Sequence, residues 1–171
     1  DPGGESPASH DADHQERPEV PGGTAMSRSG YSDDCGGWSL ICWRGAVNSA
    51  IKGKRGQAFL IELREALDAM PDKRLIAEEL EADGQFCTLG VLGAKRGLDM
   101  SGLDPDCREA VAAAFDIAPA LAAEIVYEND EHPGCYQRQD DGSMKWARET
   151  PEHRWKRMRE WVETSIQAVT P

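Results

Sequence analysis

The apolar residues of this chain recur at the spacing of amphipathic helices. Residues 38–52 and 57–70 each place apolar side chains at every third or fourth position, and Pro71 follows the second segment. This spacing lines one face of a helix, which can then pack against a neighbour. Because only residues 53–56 separate the two segments, we expect two packed antiparallel helices. The predicted inward positions are Leu40, Trp43, Val47, Ala50 and Ile51, followed by Phe59, Leu60, Leu63, Leu67 and Met70.

Start and stop signals indicate four further helices. Residues 87–96 predict a short helix rich in small side chains, which ends at Gly97. A proline at the first helical position predicts helices that begin at about residues 105, 119 and 151 and run to about residues 115, 127 and 168. Their predicted inward positions are Val111, Ala114 and Phe115, then Leu121, Ala122, Ile125 and Val126, and finally Trp155, Met158, Val162 and Ile166.

The pattern indicates little β structure. Asp83-Gly84 is a strong turn signal and predicts a hairpin with strands near 75–81 and 85–87, although the segment before it also permits a helix. The polar, turn-rich residues near 129–148 predict a mobile loop. The predicted fold class is therefore mostly α: a compact helical domain of five to six helices with at most one small β-hairpin near 75–87.

The first 30 residues differ from the rest in composition. They contain no Leu, Ile, Phe, Trp or Tyr, and they carry six acids and two bases. Such a segment cannot bury enough apolar area to offset the entropy of ordering it, so residues 1–30 are expected to form a disordered acidic tail or linker. Met26 is compatible with a natural start, which would make residues 1–25 an upstream extension, an expression remnant or a linker. Residues 31–171 are expected to form a single helical domain.

Charge and cysteine content exclude several classes of partner. The net charge of −12 argues against general affinity for nucleic acid or for an anionic membrane. No apolar run approaches the ~20 residues that span a bilayer, so no membrane partner is expected. Five irregularly spaced cysteines suggest thiols in a reducing cytoplasm rather than a disulfide framework. The spacing from His132 to Cys135 supplies half a zinc site at most, so no metal or cofactor is predicted.

A basic cluster is the first candidate binding site. Arg44, Lys52, Lys54 and Arg55 could lie along one edge of the first helix pair, with Lys95 and Arg96 nearby. A Gly-Lys-Arg-Gly loop can contact phosphate through its side chains and its backbone N–H groups. The alternative is a solvated turn between two helices.

An acidic cluster and a tryptophan form the second candidate, for binding a partner or a cation. Glu128, Asn129, Asp130 and Glu131 lie at a predicted helix C-terminus, where the helix dipole disfavours carboxylates. Glu78, Glu79 and Glu81 could complete an acidic pocket with them, and the alternative is an ordinary solvated helix end. Trp161, beside the apolar stripe of the last helix, and Trp146 are candidate anchors for a partner protein.

Several motifs resemble a group of small uncharacterised proteins of phages and prophages. They are W-x-L-I-x-W-R-G-A-V from Trp38, G-K-R-G-Q from Gly53, C-x-L-G from Cys87, I-V-Y-E-N-D-E from Ile125 and T-P-E-x-R-W from Thr150. The resemblance covers about residues 26–162. It implies a phage or prophage origin and a location in the cytoplasm of a bacterial host, and it implies no activity.

These observations favour a small non-enzymatic accessory protein that binds and modulates a host or phage protein. No catalytic residue is assigned. Two alternatives stay open: a nucleic-acid-binding accessory protein that uses Arg44, Lys52, Lys54 and Arg55, and a metal-dependent enzyme that uses residues 128–131. The oligomeric state is left open.

Overall fold

The computed structural model describes residues 37–131 and 134–167. This part of the chain contains six helices and two antiparallel β-hairpins, so the predicted class, mostly α, is confirmed. The expectations for residues 1–30 and for His132 lie outside the described residues. The elements are α1 Gly37–Lys52, α2 Lys54–Ala69, β1 Glu81–Ala82, β2 Gln85–Phe86, α3 Thr88–Arg96, α4 Arg108–Phe115, α5 Pro119–Asp130, β3 Cys135–Arg138, β4 Met144–Ala147 and α6 Pro151–Ser165.

The junction of α1 and α2 is tighter than the sequence indicated. Only Gly53 separates the two helices, and α2 begins at Lys54, three residues before the predicted start. The residues expected to form a loop instead supply the first turn of α2. A Cβ atom on Gly56 would lie 1.9 Å from the Ala50 carbonyl oxygen, so only glycine allows the two backbones to approach this closely.

The core forms around α2, against which α3 and α6 pack. The Phe59 and Phe115 rings meet edge to face with centroids 6.5 Å apart. The largest fully buried side chains include Leu60, Leu63, Leu67, Leu75, Leu89, Leu92, Phe115, Leu121, Ile125 and Met158. Most of the predicted inward positions are therefore confirmed.

Two predicted inward positions are wrong. Leu40 is 44% exposed, because α1 reaches the core through Val47, Ala50 and Ile51, which lie in its second half. Ala114 is exposed, because the buried face of α4 is formed by residues one turn apart, Val111 and Phe115, with Ala112 beside them.

The first hairpin, β1–β2, confirms the turn prediction but has shorter strands than expected. Asp83 and Gly84 both have positive φ, 52° and 73°, as a two-residue type I′ turn requires. Residues 75–80 lie outside the strand. A Cβ atom on Gly90 of α3 would lie 1.8 Å from the Leu80 carbonyl oxygen. This hairpin therefore lies directly on the α3 backbone.

The predicted start of α4 at Pro105, with Asp104 as its cap, is wrong by three residues. The Asp104 side chain accepts a hydrogen bond from the Asp106 backbone N–H at 2.9 Å. This short-range bond closes a turn rather than a helix, which is a known alternative for aspartate. The helix begins at Arg108.

The segment predicted to be a loop contains a second hairpin, β3–β4. Here α5 extends to Asp130, and Tyr136 pairs with Trp146 and Arg138 with Met144. The strands are joined by a tight connection in which the Gly142 N–H donates to the Gln139 carbonyl oxygen at 2.9 Å. This hairpin corrects both the loop prediction near 129–148 and the limit of one hairpin.

No single helix of the described residues has the length and apolar character needed to cross a membrane. The consecutive helices α4 and α5 meet those criteria only when taken together, and they are bent by 107° at the break between them. Both helices contribute buried side chains to the core.

Candidate functional site

The four bases predicted to contact phosphate have different surroundings. Nη1 of Arg44 lies 2.8 Å from Oε1 of Glu124 on α5, a carboxylate whose side chain is 4% exposed. An unpaired charge at that depth is costly, so this guanidinium stabilises the buried carboxylate. Lys52, Lys54 and Arg55 are exposed around the α1–α2 junction.

Two of the bases near the junction, Arg55 and Arg96, have acidic neighbours. Nη1 of Arg55 is 3.4 Å from Oδ1 of Asp116, and both side chains are largely exposed. Arg96 makes two hydrogen bonds to Glu62 of α2, at 3.0 and 2.5 Å, and so fixes α3 against α2. Phosphate contact at these bases stays a prediction, and the pairing of Arg44 and Arg96 does not favour it.

The acidic cluster at the end of α5 is largely a structural junction. Oδ1 of Asn129, a buried residue, accepts hydrogen bonds from the Thr88 N–H at 3.1 Å and from the Thr88 hydroxyl at 2.7 Å. Its Nδ2 donates to the Ile76 carbonyl oxygen at 3.0 Å. Oδ1 of Asp130 accepts from the Glu78 N–H at 3.2 Å. These contacts connect α5 to α3 and to the segment before the first hairpin.

Glu128 belongs to a partly buried ionic network. Burial, and next the nearby Glu124 carboxylate, raise the pKa of Glu128, while Arg157 and Arg44 oppose the shift. Arg157 of α6 donates to the Glu128 carbonyl oxygen and makes two further hydrogen bonds, at 2.7 and 2.8 Å, to Glu149. The Glu149 side chain is only 2% exposed, so Arg157 holds the segment between β4 and α6 against α5.

The two tryptophans predicted to be partner anchors, Trp161 and Trp146, differ in their solvent exposure. Trp161 is partly buried and packs against the core, which reduces its value as a partner anchor. Trp155 is also partly buried, and its Nε1 donates to the Leu67 carbonyl oxygen at 3.2 Å. Trp146 on β4 is 48% exposed.

The surface that surrounds Trp146 was not predicted from the sequence. In a strand, alternate side chains share a face, and directly paired residues lie on the same face. The register therefore groups Tyr136 with Trp146 and Arg138 with Met144. We call these four residues the hairpin face. Tyr136 is 65% exposed and Met144 58%, so the face presents its apolar groups to solvent.

The hairpin face is held in one shape from within the hairpin. The Tyr136 and Trp146 rings meet edge to face with centroids 5.2 Å apart. Gly134, at φ 77°, lies so close to β4 that an added Cβ would be 2.6 Å from the Ala147 carbonyl oxygen and 3.0 Å from the Trp146 ring. Contacts within the hairpin therefore orient the two exposed rings, and the Arg157–Glu149 pair holds the segment just after β4.

A metal centre is not apparent in the part of the chain that the structure describes. Among these residues, no three or more His, Cys, Asp or Glu side chains are arranged to hold an ion. Cys42 and Cys107 are free thiols, and the Cys87 sulfur accepts a hydrogen bond from the Gly90 N–H at 3.4 Å.

The fold and its surface together define a mostly α domain with an exposed aromatic hairpin. Comparison with protein-family models, with curated proteins and with solved structures finds no match to this chain. Function must therefore be argued from the geometry.

Proposed function

We propose that this protein is a small accessory protein of a phage or prophage that binds and modulates a host or phage protein in the cytoplasm of a bacterial host. The hairpin face makes the contact. The observation that carries the proposal is the solvent exposure of Tyr136, Met144 and Trp146 on one face of a hairpin. The motif resemblance supports the phage origin.

The composition of the hairpin face fits a protein partner. Tyr, Trp, Met and Arg are the residues most enriched at protein–protein interfaces, and Trp, Tyr and Arg dominate their binding energy. The paired rings of Tyr136 and Trp146 are already oriented. Little side-chain entropy is then lost on binding, which favours affinity.

A cross-linking experiment tests whether the hairpin face meets a partner. A photoreactive benzoylphenylalanine is placed at position 146 or, as a control, at Ala113, an exposed position on α4. Both proteins are irradiated in bacterial cells with and without phage infection. We expect a discrete protein cross-linked from position 146 and not from position 113. Identical products from both positions would contradict the proposal.

Purified partner then permits a quantitative test. Replacing Trp146 or Tyr136 by alanine is expected to weaken binding by about 2 kcal/mol, the size typical of an interface anchor. Lys145→Ala is the matched control, because Lys145 lies between Met144 and Trp146 on β4 and points to the opposite face. Equal losses in all three variants would show that the hairpin face has no special role.

The two alternative functions stay predictions. Nucleic-acid binding would depend on Arg44, Lys52, Lys54 and Arg55, and it would weaken steeply as salt is added. Metal-dependent catalysis near Glu128 would show as thermal stabilisation by the ion. Neither has a structural observation comparable with the exposed hairpin face.

A further inference from the structure

A second candidate binding surface lies around the first hairpin. An open groove of about 650 Å³ runs between the C-terminal end of α2, the α3 helix and β2. Its apolar lining includes Ala66, Ala69, Met70, Phe86, Val91 and Ala94. We call it the alanine groove. Small side chains on two helices leave room for the larger apolar side chains of a ligand.

Contacts within the protein hold the walls of the alanine groove in place without a ligand. The Arg96–Glu62 pair holds α3 to α2. The Ile76 N–H donates to the Phe86 carbonyl oxygen at 3.0 Å, and the close approach at Gly90 holds the hairpin on α3. A preformed groove of this kind requires little reorganisation when it is filled.

The basic residues at the rim already have carboxylate partners outside the groove. Nζ of Lys95 is 3.3 Å from Oε2 of Glu65, and Nε of Arg74 is 3.2 Å from Oε1 of Glu152. Their positive charge is therefore offset locally.

The acidic residues at the rim have no such partners. Asp72 and Asp83 line the groove and are exposed. Among the residues that the structure describes, neither makes an ion pair. The two bases that line the groove are thus paired with carboxylates outside it, whereas Asp72 and Asp83 make no ion pair with the described residues, and this difference favours a cationic ligand.

We infer that the alanine groove binds a basic amphipathic segment of a partner protein. Apolar side chains of the segment fill the groove, and its Lys or Arg side chains reach Asp72 and Asp83. An open groove cannot enclose a small molecule as a ligand pocket does, whereas it suits an amphipathic helix laid along it. This surface shares no residue with the hairpin face, so either proposal can fail without the other.

A pair of synthetic peptides tests the required chemistry. The probe is a capped amphipathic Leu/Lys peptide of about 15 residues, long enough to form a helix. The comparison peptide has Glu at every Lys position. Titration of the full-length protein, followed by fluorescence anisotropy, should show binding of the Lys peptide at least about tenfold tighter than of the Glu peptide. Equal affinities, or no binding of the Lys peptide, would overturn the inference.

Charge-matched variants separate local recognition from attraction to an acidic protein. The test variant is Asp72→Asn with Asp83→Asn, and asparagine tolerates the positive φ of Asp83. The control is Asp140→Asn with Glu160→Gln, two exposed acids that do not line the groove. Both variants change the net charge from −12 to −10. Only the test variant should lose affinity for the Lys peptide, by about tenfold. Equal losses in the two variants would show that the peptide is attracted non-specifically to an acidic protein.

Substitutions that fill the alanine groove test independently whether the peptide binds there. Ala69→Trp places a large ring in the groove, and Ala58→Trp places the same ring at an exposed position of α2 that does not line it. The first variant should abolish binding of the Lys peptide while the second leaves it unchanged. Circular dichroism melting confirms that both variants are folded. Undiminished binding by a folded Ala69→Trp protein would contradict the inference.

Discussion

The two hairpins of this protein share a local design and differ in their surroundings. Each pairs two antiparallel strands and has an Asp-Gly step in its connection, at Asp83-Gly84 in the first and at 141–142 in the second. The first lies on α3 and is flanked by buried residues, Leu80 and Cys87. The second presents Tyr136, Met144 and Trp146 to solvent. Turn chemistry specifies that a hairpin forms, whereas tertiary packing decides whether it supports the core or offers a surface.

The largest expected loss of stability comes from a substitution that disrupts the packing of the first hairpin on α3. Gly90→Ala would place a Cβ atom 1.8 Å from the Leu80 carbonyl oxygen, a backbone atom that cannot move alone. We expect the free energy of unfolding to fall by about 3 kcal/mol or more, at the upper end of overpacking. The matched change in the second hairpin, Gly142→Ala, meets no atom within 4 Å. It should cost only about 1–2 kcal/mol, from its positive φ. Equal losses in urea unfolding would refute the difference between the hairpins.

The next largest loss of stability is expected from a substitution that removes the Asn129 hydrogen bonds between α5 and the region of the first hairpin. Asn129→Ala leaves the Thr88 N–H, the Thr88 hydroxyl and the Ile76 carbonyl oxygen without their side-chain partner. Buried polar groups that lose a hydrogen bond typically cost 1–3 kcal/mol, and we expect a loss of about 2–3 kcal/mol in chemical unfolding. A loss below about 0.5 kcal/mol would mean that this junction is dispensable.

A smaller effect of opposite sign is expected beside the second hairpin. The pKa of Glu128 is raised by burial and by Glu124, so its charged form is less stable in the folded state than in the unfolded chain. This destabilisation is absent at acidic pH, where both states are protonated, and complete once pH exceeds the folded-state pKa. Glu128→Gln should therefore raise the free energy of unfolding at neutral pH, by less than about 1 kcal/mol. Urea unfolding near pH 7 and near pH 4 tests this, with the gain confined to the higher pH. A loss at neutral pH would show that the contact with Arg157 dominates.

The smallest effect on stability is expected at the exposed rings. Trp146→Ala and Tyr136→Ala remove side chains that contribute to no core cluster. Thermal and urea unfolding should each change by about 0.5 kcal/mol or less, as for most surface positions. A loss above about 2 kcal/mol in either variant would place these rings in a packed interior and remove the basis for the hairpin face.

Helical periodicity predicted most of the fold because the helices bury one continuous stripe each. The stripe on α2 and the Thr150-Pro151 start of α6 both appear where expected. The start of α4 was wrong because Asp104 uses its side chain in a local turn, which has the same sequence signal as a helix cap. The second hairpin was missed because its strands are exposed on the hairpin face and lack the apolar content of core strands.

The candidate sites were harder to predict than the fold. Arg44 and the end of α5 were identified separately, and only the packing of α1 on α5 shows that they share one ionic network through Glu124. Asn129 looked like part of a solvated helix end, because its buried partners lie 41 and 53 residues away. Alternation of Tyr136 with Arg138, and of Met144 with Trp146, was the available signal for the hairpin face.

The position of α6 has a consequence for the order in which the domain is completed. Its Met158 and Val162 are fully buried in a core otherwise formed by residues 59–126, and Gln57 at the start of α2 binds the Ser165 carbonyl oxygen and the Gln167 N–H. A nascent chain that has not reached residue 165 lacks these contacts, so part of the apolar surface of α2 stays exposed to solvent. The apolar surface exposed in such chains favours their aggregation.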